Sequence, residues 1–556
     1  MGGKSFAYDS THRCKDGFSA GELSMSPDLD AFDSRRSTVY ARTGVVATSQ
    51  PLAAQAGIQS LQSGGNAFDA AVATAATLNV VEPMSTGIGG DVFAMYRTAD
   101  GDVGAMRSCG GAPAAATRET IRDRLNTESP TMPSSGPLAV TVPGTVRGWE
   151  RLLTDYGQYG FETALEPAIT HASEGYPVSE IIADAWTRNA DTFIDAIGKE
   201  TFSVSDGTPS VGDVVRLPHL AETFKSIAQG GADAFYEDSL ATQIASAVRD
   251  RGGLLESSDL AEFEAEYVDP VSTTYRGATV YELPPNNQGL IALEALNIAS
   301  KVDAGSYAYD SADRIHYYAE SLKRAFHDGH HYITDPEFES IPDLASSSYA
   351  ANRAESIGPY ASDVSVGGPG MPPEDSDTVL LTVADRAGNV VSLINSIFEP
   401  FGSGVVVPDT GIVLQNRGAS FTLDPSHPNT LEPKKRPFHT LIPGLIQFDS
   451  DDWAAFGVMG GYMQPQGHLQ VLANLLDYGF DSQAALNAPR WRYCDDGSLA
   501  VEERFADGVL GKLARRGHEV TVRPPSAFGG AQFARRRGDV LSGATDPRKD
   551  GTAIGF

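Results

Sequence analysis

The sequence predicts a mixed fold, α/β or α+β, in which strands and helices share one body. Three observations carry this. Short apolar strand patterns alternate with longer helical ones. Hydrophobic residues make up 41% of a 556-residue chain, which can therefore bury a large core. Pro/Gly spacers are short and there is no internal repeat or heptad run, so no flexible linker separates globules.

Residues 1–40 are polar and irregular and read as a loose N-terminal extension. GVVATSQ follows as a short strand. Pro51 suits the first turn of a helix and Gly64-Gly65 suit its end. Asn66 can cap a second helix, Ala-rich and therefore suited to close packing. The run TGIGGD (86–91) lacks both the GxGxxG spacing and the GK[ST] ending of phosphate cradles, so it reads as a tight turn. Helical patterns dominate from about 145 to 360 and are broken by strands such as ATVYELP (278–284). SVGGPGMPPEDSD (365–377) combines Gly, Pro and acids and cannot be helix or central strand. TVLLTVADRAGNVVSLINSIF (378–398) then reads as strand, turn at 385–389, and strand. A loop thus runs directly into a buried strand whose first residue is Thr378.

Charge narrows the function. With 42 Lys+Arg against 72 Asp+Glu, the net charge is −30. Such a chain does not suit nucleic acid or an anionic membrane. The acids are scattered, which suggests a solvated carboxylate surface of the halophilic kind. Cys14, Cys109 and Cys494 are too few and odd in number for a disulfide framework, which points to a reducing compartment. The start, MGGKSFAYDSTHRCKDG, has no apolar h-region, Arg35-Arg36 is not followed by a signal core, and no apolar run is long enough to span a membrane. The expectation is a soluble cytoplasmic protein without a membrane partner.

Thr378 carries a chemical idea of its own. A hydroxyl is a weak nucleophile and needs an adjacent base. A cut before Thr378 would create an α-amino group beside the hydroxyl, with an ordinary pKa of about 7.7–8.0, suited to that task. On spacing alone, however, Thr is an ordinary strand residue.

A resemblance strengthens the idea. PLAAQAG, GGNAFDAAVATAATLNVVEPMSTGIGGD, APAAATRE, VTVPGTVRGW, DTVLLTVADRAGNVVS, FGSGVVVPDTGIVLQNRG, KKRPFHTLIP, VMGGYMQPQGHLQ and DPRKDG occur in order from about residue 44 to the C-terminus. The chain resembles the γ-glutamyltransferase family of N-terminal-nucleophile hydrolases. The resemblance implies an α+β fold, a four-layer αββα sandwich. It implies self-cleavage between Asp377 and Thr378 into a large subunit, 41–377, and a small one, 378–556. Thr378 would be the nucleophile, Ser396 the hydroxyl that hydrogen-bonds it, and Gly460 and Gly461 the pair near the oxyanion. No cofactor is implied; the partners are a small amide substrate and water or an acceptor amine.

The departures from the family concern glutamate recognition. Cys109 stands where the family has an Arg, Phe398 where it has an Asn, and Ser420 where it has an acid. Phe cannot accept from an ammonium group. Arg107 and Arg417 could grip a carboxylate instead, and His439 and Thr440, in place of a frequent Ser pair, could line the pocket. QNRGASF and FHTLIP resemble the acylase-like and oxamate-amidohydrolase-like branch. His327, Asp328, His330 and His331 look like a metal cluster, but adjacent histidines on a helix point in different directions, so no metal is expected. Lys434-Lys435-Arg436 could pair with internal acids or draw an anionic substrate. The expected activity is γ-glutamyl transfer and glutathione hydrolysis. The alternatives are hydrolysis of another small carboxylated amide, such as oxamate or an acylated β-lactam, or a non-cleaving homologue that only binds.

Overall fold

The computed structural model describes residues 36–126, 131–204, 207–364 and 378–556. The segment 365–377, with Asp377, lies outside the described residues, as does most of the expected N-terminal extension. The described end of that extension is ordered. Arg36 donates to the carbonyls of Asp546 and Gly551, and Val39–Ala41 pairs with Leu541–Gly543.

Two seven-stranded sheets form the body. In the first, the order is Thr552–Gly555, Gly44–Thr48, Val379–Asp385, Val390–Ser396, Asp91–Arg97, Val103–Ser108 and Glu266–Val268. In the second it is Val39–Ala41, Val540–Thr545, Gly530–Arg537, Asp452–Met459, Gly444–Asp449, Ala278–Glu282 and Val271–Tyr275. The hairpin expected at 378–398 is present, with Val379–Asp385 antiparallel to Val390–Ser396 and both strands wholly buried. Burial on both faces explains their near-continuous apolar runs.

Three separate apolar cores account for four layers. One joins the first sheet to helices that include Ala67–Val81 and Thr145–Tyr156. A second joins the other sheet to Gly289–Lys301, Ala312–Tyr332 and Met463–Leu476. The third lies between the sheets, where Phe93, Leu380 and Ile394 meet Leu445, Trp453 and Ala455. This is the αββα sandwich. The helix Ala67–Val81 is buried at every position, which its small side chains permit. Asn66 caps it, as its sequence predicts, and the structure adds a reciprocal bond from Asp69.

Interlocking contacts bring central strands of the two sheets together. Ser392 Oγ, paired in register with Thr382, donates to Phe456 O, and Leu380 packs against Gly457. Moving from Thr382 towards Thr378 therefore runs alongside Phe456 towards Gly460. The start of one strand and the end of another converge on the site.

Candidate active site

Thr378 lies immediately before the strand Val379–Asp385 and is 2% exposed. Its hydroxyl donates to Ser396 Oγ across 3.3 Å. Ser396 ends the neighbouring strand, where its Oγ also accepts from Phe398 N–H at 2.8 Å. Gly90 packs so closely here that a Cβ on it would lie 2.2 Å from Ser396 O. The turn TGIGGD thus admits a backbone approach that only glycine allows.

Gly460 and Gly461 follow the strand Asp452–Met459, with φ of +113° and +53°. Their carbonyls are held by the N–H groups of Met463 and Gln464. Gln288 Nε2 donates to both Gly461 O and Thr440 O, at 3.0 and 2.6 Å. One amide therefore fixes the glycine turn against the His439-Thr440 segment.

Arg417 is the unusual group. It is fully buried, and its Nη1 donates to Thr440 Oγ1 at 2.9 Å. The guanidinium carbon sits 4.0 Å from the centre of the Phe398 ring. Nε and Nη2 have no acceptor among the described residues. Burial lowers its pKa to about 10, against the attraction of Asp91. A buried cation with two unused donors, aligned for bidentate contact, is suited to a planar anion such as carboxylate.

Behind it lies a pairing that the sequence reading missed. His439 Nε2 and Asp91 Oδ2 are 3.0 Å apart, and neither side chain is exposed. His439 Nδ1 accepts from Leu441 N–H, so the proton resides on Nε2 and is donated to Asp91. Burial, followed by the charges of Arg417 and Arg107, holds His439 well below its ordinary pKa and therefore neutral. Burial pushes Asp91 up to about 7, although Arg417, Gln415 and the Gly144 N–H pull it down. The sequence signal was an acid closing TGIGGD at the head of a buried strand. Glu399 was also overlooked. Burial raises it to about 7, and it feels the Arg417 charge.

The other expected residues separate. Arg107 donates to Glu266 and to Pro285 O, both at 2.7 Å, so its head is engaged away from Thr440. With Cys109 and Arg436 it lines a neighbouring cavity of about 240 Å³, whose Cys109 lies close enough to feel Asp91 and Arg417. Burial pushes the Cys109 thiol up to about 12. The basic island pairs with acids: Lys434 with Glu262, Lys435 with Glu432, and Arg436 with Asp335, Glu266 and Glu337. Asp328 takes Arg353, and His330 packs among Phe326, Phe438 and Tyr462. His316, Glu320 and His518 form the one three-residue grouping with metal-ligand spacing among the described residues. Lys323 and Arg324 already occupy Glu320, so a metal ion there would face two fixed positive charges. No described helix is long and apolar enough to cross a membrane.

Known proteins resemble this chain over nearly its whole length. The family model for gamma-glutamyltranspeptidase matches residues 53–556. The chain is 38% identical to the glutathione hydrolase-like YwrD proenzyme of Bacillus subtilis, over 91% of this chain and 97% of that protein. It is 34% identical to the oxamate amidohydrolase proenzyme of Klebsiella pneumoniae, over 92% and 98%. The crystal structure of cephalosporin acylase from Bacillus halodurans superposes with a TM-score of 0.88 at 42% identity, covering 96% of this chain and 99% of that one.

Proposed function

The chain belongs to the γ-glutamyltranspeptidase family, and we propose on that basis that it is a self-cleaving amidohydrolase or acyltransferase whose nucleophile is Thr378. Thr378 Oγ attacks the carbonyl carbon of Asp377. The Asp377–Thr378 C–N bond breaks, the nitrogen becomes the α-amino group of Thr378, and water hydrolyses the resulting ester. In each catalytic cycle that amine takes the Oγ proton while Oγ attacks the substrate amide. Gly460 and Gly461 face the oxyanion. The protonated amine returns its proton to the leaving nitrogen, and water or an acceptor amine takes the acyl group from the ester.

One observation carries this reading: the buried contact between the hydroxyls of Thr378 and Ser396. The acyl group bears a carboxylate, held by Arg417 and oriented through Thr440; this rests on the unused donors of Arg417. γ-Glutamyl amides, including glutathione, meet that requirement, as do acyl groups with a carboxylate and no ammonium. Cys109, Phe398 and Ser420 offer no carboxylate to an ammonium group, whereas Glu399 lies within reach of the Arg417 charge. Arg107 steers charge at the neighbouring cavity, and His439 braces Asp91.

A denaturing gel tests the core claim. The wild-type protein should appear as two fragments and Thr378→Ala as one full-length band; two fragments persisting in Thr378→Ala would refute it. Glutathione, γ-glutamyl anilide, glutaryl anilide and oxamate, assayed at high and low salt, separate the substrate readings.

A further inference from the structure

Phe398 occupies a conformation that a bulky side chain avoids. Its φ is +83°, a region that costs a residue with a Cβ and persists only where the surroundings impose it. It is 1% exposed, and both of its ends are in use. Its backbone N–H donates to Ser396 Oγ, the atom that also accepts from the Thr378 hydroxyl. Its ring lies under the Arg417 guanidinium. The positive φ is what allows one residue to send its amide back to Ser396 and its ring across to Arg417.

We propose that Phe398 is a positioning residue that fixes the plane of the Arg417 guanidinium relative to the nucleophile and so selects acyl groups bearing a carboxylate. Arg417 has one side-chain hydrogen bond, at Nη1 to Thr440 Oγ1, and a single bond leaves the plane free to turn about it. The ring face removes that freedom. It also stabilises the buried cation through its π-electrons without occupying any N–H. Nε and Nη2 therefore stay available and point in one direction. An Asn at this position would accept one of those N–H groups; a Phe cannot. The substitution that removes an ammonium partner is thus the one that leaves the guanidinium open.

The proposal deepens the reading given under Proposed function and rests on it for the substrate class. Its test has a catalytic arm and a binding arm. Phe398→Gly accepts the positive φ, keeps the backbone N–H and removes the ring. Phe398→Leu keeps apolar bulk without a π face, and Phe398→Tyr keeps the ring. Glutaryl p-nitroanilide and its uncharged counterpart, pentanoyl p-nitroanilide, are compared by kcat and KM. Phe398→Gly and Phe398→Leu should self-cleave normally and raise KM for the glutaryl compound at least tenfold. In both variants the glutaryl KM should rise at least tenfold more than the pentanoyl KM, and Phe398→Tyr should keep the wild-type ratio of the two. Calorimetric titration with glutarate reads the guanidinium without any chemistry; the wild-type protein should bind it, and Phe398→Gly at least tenfold more weakly.

A wild-type KM in Phe398→Leu, equal losses on both anilides, or no glutarate binding by wild type would each overturn the proposal. So would loss of self-cleavage in Phe398→Gly, since the retained amide should preserve Ser396. Wild-type protein that binds glutarate in a Phe398-dependent manner yet hydrolyses neither anilide would sink the amidohydrolase reading and leave the positioning role standing.

Discussion

Replacing Arg417 by Met separates recognition from folding. Met keeps the approximate bulk of the stem and cannot donate. In the wild-type protein, two charge-assisted hydrogen bonds from Nε and Nη2 to a substrate carboxylate would contribute about 1.5–3 kcal/mol each. Losing both amounts to about 3–6 kcal/mol, or roughly 10²–10⁴-fold in kcat/KM at about 1.4 kcal/mol per factor of ten. Stability should move the other way or not at all. Burial lowers the Arg417 pKa from the ordinary guanidinium range to about 10, equivalent to roughly 3 kcal/mol against the charged folded form. That penalty is present at every pH below about 10, and Met does not carry it. Loss of the stacking on Phe398 and of the charge compensating Asp91 offsets part of the gain. Initial rates on glutaryl and pentanoyl p-nitroanilide, with a thermal melt of the same preparation, supply the check. The expected outcome is a large loss on the charged compound, a small one on the uncharged compound and an unchanged or higher Tm. Equal losses on both compounds, or a Tm lower by many degrees, would mean that Arg417 is a structural cation.

Ser396→Ala removes the acceptor of the Thr378 hydroxyl, and kcat and the self-cleavage rate should each fall about 10–100-fold, the value of one or two hydrogen bonds; unchanged rates would remove Ser396 from the mechanism. Gly460→Ala forces φ of +113° on a residue with a Cβ placed 3.2 Å from Gly529 Cα. It should lower stability by about 1–3 kcal/mol and depress turnover, and a melt that matches wild type would show that the turn is not strained. Binding of carboxylate substrates should weaken as pH rises through about 7, because Asp91 then ionises beside Arg417 and cancels its charge. The glutaryl KM should rise over that interval while the pentanoyl KM stays flat. The same raised pKa means that the contribution of Asp91 to stability is complete below its ordinary value of 3.8 and is lost as pH climbs through about 7.

The legible parts of this protein were local. The hairpin at 378–398 declared itself through two apolar runs around a polar turn, and the helix from Ala67 through Asn66 at its cap and a small-residue face. Ordered motifs gave the layered sandwich and marked Thr378 and Ser396. The illegible parts were pairings over long separations. Nothing near His439 signals that it donates to Asp91, 348 positions away. Arg107 and Arg417 are the same residue type, and only the fold decides that one meets Glu266 while the other keeps two donors unused. Phe398 read as the loss of a polar partner, because a π face under a cation has no sequence pattern.

Each sheet combines strands from before and after Thr378: Val379–Asp385 and Val390–Ser396 together lie between Gly44–Thr48 and Asp91–Arg97, and Gly444–Asp449 is stitched to Ala278–Glu282. Severing the chain at that point leaves two polypeptides woven like the warp and weft of one cloth. Neither retains a complete sheet, so neither has a native shape to return to once they are pulled apart. Assembly is therefore a one-way passage through the uncut chain, and urea-separated fragments mixed at low concentration should fail to regenerate the enzyme that the single precursor forms unaided.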